Sequence, residues 1–582
     1  MRVLLLHPED FPQRGPWSRE HWDLIVDLGR SSFSTVGGWE KIMGVPVLRA
    51  DSVRQDVEDL RQVRKLLSRG MGRLTDEVGI DWWELTSLLI MSEVEAVLAF
   101  QRLLPQIEGV REIWTTRPGS PASAVGALVN LPLRSFFDQP WARFGTGVRH
   151  YGSLLQRFPA RQIKEIFLDK YDSRYKWRAR FASRSPALRQ SCILLPSAYV
   201  NVSRMAAAYA ELLPQESFLI VATRQSGRLS SLPPNVQTRD LAAYVESGPP
   251  IRESAALLEA WTRLKADLRA IPEFAILSQA GMLDLFPRWF QDGLVARDAW
   301  RRVLEREPVC GVLCGDDSNL YTRLPVILAA KRGVPTVDFH HGAMDGRYLV
   351  KDLPCDKYLA KNAMEQDYLL RVCGLAPERL VPGAPPLAQA KSVPHAVPAE
   401  SSCAVFFSEP YETWGARAEE VYREILPRLC RVARESDHHV IVKLHPFESL
   451  SQRTRMLREL MSEQDFRQIA VVDGPLSPQL LSKTWFGVSI ESTTALDCFL
   501  RGVPCFVCGW LRLSPFGYVE QYARSGIAQI LREASELDRI PEFLASPRNR
   551  VAPEGFSKPA DAETLRQLLG VKSLVADVAR AR

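Results

Sequence analysis

An α/β chain built from Rossmann-like parallel sheets follows from three features of this sequence. The tripeptide Gly-Val-Pro occurs three times, at Gly44-Val45-Pro46, Gly333-Val334-Pro335 and Gly502-Val503-Pro504, each time after a helical pattern and before an apolar run. Glycine takes the left-handed conformation that closes a helix, and proline is tolerated at the first residue of a strand, so the tripeptide reads as a helix-to-strand connection. Runs such as "GVLC" from Gly311 and "VIVKL" from Val440 are apolar without alternation, as expected of strands covered on both faces. Helical patterns separate these strands in turn, which is the beat of a doubly wound sheet.

With 582 residues, 46% hydrophobic and 24% charged, the chain has material for several cores at roughly 100–200 residues per domain. The first block, residues 1–185, has strand candidates at Val3–Leu6, Leu24–Asp27, Val45–Leu48 and Glu112–Thr115, with helical patterns from Ser52 to Arg69 and from Trp83 to Leu104. The second, 186–390, runs from "SCILLPS" through "SFLIVATR" and "PVCGVLCG" to "PTVDFHHG". A Pro-rich stretch from Pro382 to Glu400 reads as a linker, and the third block, 400–572, alternates strands and helices throughout.

Composition excludes several classes. The ten cysteines all follow residue 191 without the dense spacing of a disulfide scaffold, which fits reduced thiols. Cys310 with Cys314 and Cys505 with Cys508 are close pairs inside apolar runs, so buried thiols are expected there and no metal. No window approaches the ~18 apolar residues of a membrane span, and "MRVLLLHPED" is too quickly acidic for a signal peptide, so a cytoplasmic protein is expected. The net charge of +6 is concentrated between Leu155 and Gln190, where ten Lys or Arg meet three acids among interleaved aromatics. This basic segment, 155–190, is either a solvated interdomain helix or a peripheral contact with the inner face of the cytoplasmic membrane. No nucleic-acid module accompanies it, so no nucleic-acid partner is expected.

Ligands of such sheets bind beyond the carboxyl ends of the strands. After "GVLCG" come Asp316 and Asp317, after "PTVDF" come His340, His341 and Gly342, after "HVIVK" come His445 and Pro446, and after "WFGVSI" come Glu491, Ser492, Thr493 and Thr494. The last group opens a helix, whose free N–H groups and hydroxyls suit a phosphate. His445 can donate to a phosphate oxygen, Pro446 ends the strand so that the imidazole projects outward, and Lys443 adds charge if it shares that face. Asp316 or Asp317 can act as general base, or can cap the following helix, and either histidine of the pair can take the base role. His340 and Arg204 are weaker candidates for acceptor contact. In the first block Asp27, Trp82, Trp83 and Arg117 either touch the acceptor or pack the core.

From about Val309 to Val507, the order "GDDSN", "GVPTVDFHHG", "VKLHP" and "SIESTTALDCFLRGVPCFV" resembles the bacterial surface-polysaccharide transferases of GT-B fold. These include capsule transferases using CMP-Kdo, CMP-sialic acid sialyltransferases and CDP-glycerol glycerophosphotransferases. The resemblance implies two Rossmann-like domains facing a cleft, here preceded by an additional N-terminal α/β domain, with a CMP- or CDP-linked donor on the C-terminal one. It places the family's His-Pro and Ser/Thr motifs on His445-Pro446 and Ser492-Thr493 as donor phosphate ligands, and its His-Gly motif on His341-Gly342. The acidic base motif falls on Asp316-Asp317, with Ser318 where glycine is usual. The expected activity is inverting, metal-independent glycosyl transfer, without a cofactor, from a nucleotide-sugar to a polysaccharide or lipid-linked glycan. A UDP-sugar 2-epimerase-like enzyme and a non-catalytic scaffold of polysaccharide assembly are the alternatives.

Overall fold

The computed structural model describes residues 1–29, 35–50, 55–117, 120–136, 186–224, 229, 231–246, 251–342, 344, 346–386, 402–414, 416–474, 476–511, 518–546 and 555–571. Three parallel sheets follow one another along the chain. The first contains β1 Arg2–Leu6, β2 Leu24–Asp27, β3 Val47–Arg49, β4 Glu112–Thr115 and β5 Leu133–Ser135, in the order β3-β2-β1-β4-β5. The second contains β6 Cys192–Ser197, β7 Ser217–Ala222, β8 Val236–Asp240, β9 Val309–Cys314, β10 Thr336–Phe339, β11 Lys357–Ala360 and β12 Leu380–Pro382, in the order β12-β11-β10-β9-β6-β7-β8. The third contains β13 Cys403–Phe407, β14 His439–Lys443, β15 Ile469–Val472, β16 Thr484–Ser489, β17 Cys505–Cys508 and β18 Gln529–Leu531, in the order β15-β14-β13-β16-β17-β18.

All three sheets share one winding. The first strand of each unit is central, the second and third lie on one side and the fourth and fifth on the other. The strand order therefore reverses between β1 and β4, between β6 and β9, and between β13 and β16, and a ligand crevice opens at each such point. The repeated tripeptide does the same work in each unit. Gly44, Gly333 and Gly502 adopt φ of +64°, +69° and +68° at helix ends. The prolines donate nothing, but their carbonyls accept from the neighbouring strand in the sheet: Pro46 from Ile25 N (3.0 Å), Pro335 from Val312 N (2.9 Å) and Pro504 from Gly487 N (2.8 Å).

The two later sheets meet strand end to strand end, the two-domain GT-B arrangement, and the chain crosses between them twice. Met364, after β11, packs into the core of the third unit, and Arg524 pairs with Asp367 at 2.5 Å. The last residues return. Ala384 pairs with Pro559, and the helix Ala562–Leu568 packs on Ile193, Leu195 and Leu313. Gly311 of β9 makes room for this return, because a Cβ there would lie 2.3 Å from the Leu569 carbonyl oxygen. The terminal stretch after residue 556 thus belongs to the second sheet and not to the 400–572 block.

The N-terminal unit packs against both others. One face of its sheet (Val3, Leu5, Leu24, Val26) joins the core of the second unit, and the opposite face (Leu4, Leu6, Ile25) joins that of the third. Trp82 and Trp83 are buried, with the Trp83 ring stacked 5.4 Å from Phe286, so these two are core and not acceptor contacts. None of the ten cysteines is in a disulfide. Among the described residues no helix is long and apolar enough to cross a membrane, and no group of three His, Cys, Asp or Glu is placed to hold a metal ion. Residues 137–185, most of the basic segment, lie outside the described residues.

Candidate active site

The carboxyl ends of the second and third sheets come together at Gly342 and Thr493. A Cβ built on Gly342 would lie 3.8 Å from Thr493 Cγ2, an ordinary contact, so the two walls of the cleft approach each other there. The strand ends named from the sequence flank this point, but the structure sorts them into residues that face the cleft and residues held inside the walls.

On the second sheet, Asp316 and Asp317 part company. Asp316 closes a tight turn by accepting from Ser318 N (2.9 Å), and its charge opposes the fall in the pKa of His341. Asp317 turns inward and is fully buried, paired with the Lys351 ammonium and with Arg323 (3.4 Å). Burial would raise its carboxyl, but Lys351 and Arg323 overcome this and hold it below the usual range. A carboxylate neutralised in this way has no call on a substrate proton, which removes Asp317 as a base. Neither aspartate caps the next helix; Asn319 does so, accepting from Tyr321 N (2.9 Å).

The histidine pair divides in the same manner. His340 is buried against Tyr348, its Nδ1 accepts from Gly342 N (3.2 Å), and its carbonyl accepts from Lys361. Burial, with His341 and Lys361 adding to it, keeps this ring neutral, so it supports the turn and does not reach an acceptor. His341 is half-buried, and its Nδ1 lies 3.3 Å from the Gly315 carbonyl oxygen. A ring nitrogen facing a carbonyl must carry the proton, which leaves the lone pair on Nε2. Burial lowers its pKa below 6.5 despite Asp316, so at neutral pH His341 presents a base.

On the third sheet the polarity is opposite. His445, at the end of β14, is half-buried, and its Nδ1 accepts from Phe447 N at 3.2 Å, so Nε2 carries the hydrogen. Burial and then the Lys443 charge pull its pKa down to about 4, leaving a neutral donor. Lys443 itself is buried with its ammonium on the carbonyls of Leu444 (2.8 Å) and Gly474 (2.6 Å), so it does not project to a ligand. Pro446 is exposed beside an exposed Phe447. Glu448 fixes the turn, because its Oε2 accepts from His445 N (2.8 Å) while its Oε1 accepts from Ser408 (2.9 Å) and Arg453 (2.8 Å).

The turn after β16 differs from the expected phosphate nest. Glu491 N donates to the Glu409 carboxylate (2.9 Å), Ser492 N to Ser489 Oγ (2.9 Å) and Thr494 N to Ser492 Oγ (3.3 Å). The helix that follows, Thr494–Leu500, is about two turns long. Its amides are largely taken by the chain, so hydroxyls are what this turn offers, with Thr493 exposed and Thr494 Oγ1 buried without a partner among the described residues. Glu491 is buried. Arg204, on the helix Val200–Ala210 of the second unit, is exposed and acts electrostatically on Asp497 of the helix Thr494–Leu500.

Glu409 is the residue that sequence reasoning missed. It follows β13, between the ends of β14 and β16, and burial pushes its carboxyl up to about 7 against the pull of the Glu491, Ile490 and Ser492 amides. Its signal was present in "FFSEP", an acid at a strand end like the others. Glu448 and Arg453 had no such signal, since both sit in or before a helix.

No known sequence family matches the chain, and neither does any curated protein. Among solved structures it is similar to the UDP-bound MnaA of S. aureus, at 12% identity and a TM-score of 0.41, over 66% of this chain and 98% of that one. It is similar to the Methanocaldococcus jannaschii UDP-GlcNAc 2-epimerase in complex with UDP-GlcNAc and UDP, at 11% identity and a TM-score of 0.39, over 66% and 99%. It is also similar to the spinosyn rhamnosyltransferase SpnG complexed with thymidine diphosphate, at 15% identity and a TM-score of 0.33, over 67% and 99%.

Proposed function

We propose that the protein is a nucleotide-sugar-dependent glycosyltransferase, inverting and metal-independent, with a CMP- or CDP-linked donor and a surface polysaccharide or glycolipid acceptor. The observation that carries this is the opposite tautomers of two histidines at facing sheets: His341 offers a lone pair, and His445 offers an N–H. The carboxyl ends of β14 and β16 are two strand spacings, about 10 Å, apart. Side chains reaching inward from them, His445 from one and Ser492 and Thr493 from the other, suit the phosphate end of a nucleotide. His341 Nε2 takes the proton of an acceptor hydroxyl, with Asp316 stabilising the imidazolium that forms. The hydroxyl oxygen bonds to the sugar carbon on the face opposite the nucleotide, and the bond from that carbon to the phosphate oxygen breaks. The configuration inverts, and the electron pair leaves on the phosphate, where the His445 N–H and the hydroxyls receive it.

A thermal-shift screen with CMP, CDP, UDP and GDP, followed by donor hydrolysis, tests this. Stabilisation by CMP or CDP with slow release of sugar supports transfer. Stabilisation by UDP with isomerisation of a UDP-sugar would replace it with epimerisation. No shift with any nucleotide would leave a scaffold.

A further inference from the structure

The N-terminal sheet ends on the same tripeptide as β14: Leu6-His7-Pro8 matches Leu444-His445-Pro446. The two turns have one form, with the N–H two residues on donating to histidine Nδ1, from Glu9 at 3.4 Å and from Phe447 at 3.2 Å. His7 sits at the point of strand-order reversal, where its N–H donates to Thr116 Oγ1 beyond the end of β4 (2.9 Å). This crevice is where a sheet of such order takes a ligand.

Here it holds a side chain of the third unit. The Arg417 guanidinium donates to both oxygens of Asp27 (3.2 and 3.0 Å), to the Asp10 carbonyl (2.7 Å) and to the His7 carbonyl (3.1 Å), and lies 4.8 Å over the Trp39 ring. Arg417 and Asp27 are 3% and 1% exposed. Beside them Arg14 grips Glu419 through two bonds of 3.1 Å, and Arg117 is committed to Glu9 and Asp10. Asp27 and Arg117 therefore serve contacts within the chain, not an acceptor.

Arg417 ends the connection from β13 to the helix Ala418–Glu435, and the other end of that connection builds the candidate donor site. Glu409 accepts from Glu491 N. Glu412 takes both Nη groups of Arg453 (2.8 and 2.6 Å), and Arg453 holds Glu448, which in turn holds His445 N. Both walls of the proposed phosphate site thus hang on one loop, and that loop is fastened at Arg417.

We propose that the N-terminal unit is an internal brace for the donor site, with Arg417 seated where a Rossmann-like sheet would otherwise take a ligand. Asp27 and Arg417 are then positioning residues for His445 and for the turn at Glu491. The name donor site rests on the proposed function, but the mechanical link can be read without any nucleotide.

The test is amide hydrogen exchange on the full chain carrying Asp27→Asn, which keeps shape and removes charge. Exchange at His445 and Glu491 should quicken by roughly tenfold or more, while β13 and β16 keep their protection, and Asp27→Glu should restore much of it. Unchanged exchange at both amides in a folded Asp27→Asn protein would overturn the brace. Should Asp27→Asn fail to fold, Arg417→Lys, which keeps the charge and loses the paired geometry, decides by the same readout. Affinity for CMP and CDP is measured alongside. If the parent binds neither, the proposed function falls while the exchange result still judges the brace; if it binds, affinity should weaken about tenfold in Asp27→Asn with the protein folded.

Discussion

Replacing His445 by alanine removes one hydrogen-bond donor from the proposed phosphate site and little else. The backbone N–H of His445 keeps its bond to Glu448, and the Phe447 N–H that loses its acceptor lies on an exposed residue where water replaces it. The fold should therefore hold to within about 1 kcal/mol. A hydrogen bond to a charged phosphate oxygen contributes about 1.5–3 kcal/mol, so nucleotide affinity should fall about 10- to 150-fold. The pH dependence sharpens the expectation. With its pKa drawn down to about 4, the ring is already neutral across the working range, and its contribution should be the same from about pH 6 to 8. A ligand histidine at the ordinary 6.5 would weaken over that interval. Isothermal titration with CMP and CDP, paired with hydrolysis of the matching sugar donor, measures both effects. A His445→Ala protein that binds and hydrolyses within about twofold of the parent would refute the assignment.

The two neighbouring aspartates should answer differently. Asp317→Ala strands the Lys351 and Arg323 charges in the interior and should cost about 3–5 kcal/mol in denaturant unfolding. Asp316→Asn should leave stability within about 1 kcal/mol and lower turnover about 10²-fold or more; equal stability losses would contradict the division drawn between them. Glu409→Gln should change the pH dependence of stability. The folded carboxyl titrates at about 7 against 4.5 for the free group, so the native state holds its proton more tightly. Stability from this group is full below about pH 4.5 and is lost as pH rises through about 7, and the glutamine variant should lack that slope, read from urea unfolding midpoints at about pH 5 and 7.5.

The winding of the sheets could be read from the chain because its causes are local. Gly-Val-Pro encodes a left-handed cap and a strand start within three residues, and an apolar run without alternation encodes a strand covered on both faces. Strand-end residues could be nominated for the same reason, since a strand fixes where its next residue emerges. The sequence by itself therefore determined three α/β units and a set of polar groups at strand ends, His341 and His445 among them. Which of those groups meet a ligand was decided by contacts across the chain. Asp317 and Asp316 are adjacent, yet Lys351, thirty-four residues on, takes one carboxylate into the core and leaves the other at the turn. Lys443 is claimed by the carbonyls of Leu444 and Gly474, just beyond the strands of its own sheet, and the Glu491 amide after β16 by Glu409, eighty-two residues earlier. Tautomers follow the same rule, because the proton of each imidazole sits where a neighbouring carbonyl or N–H requires it. The role of the N-terminal unit depends on Arg417 meeting Asp27 from 390 residues away, and only the tertiary structure brings that pair together.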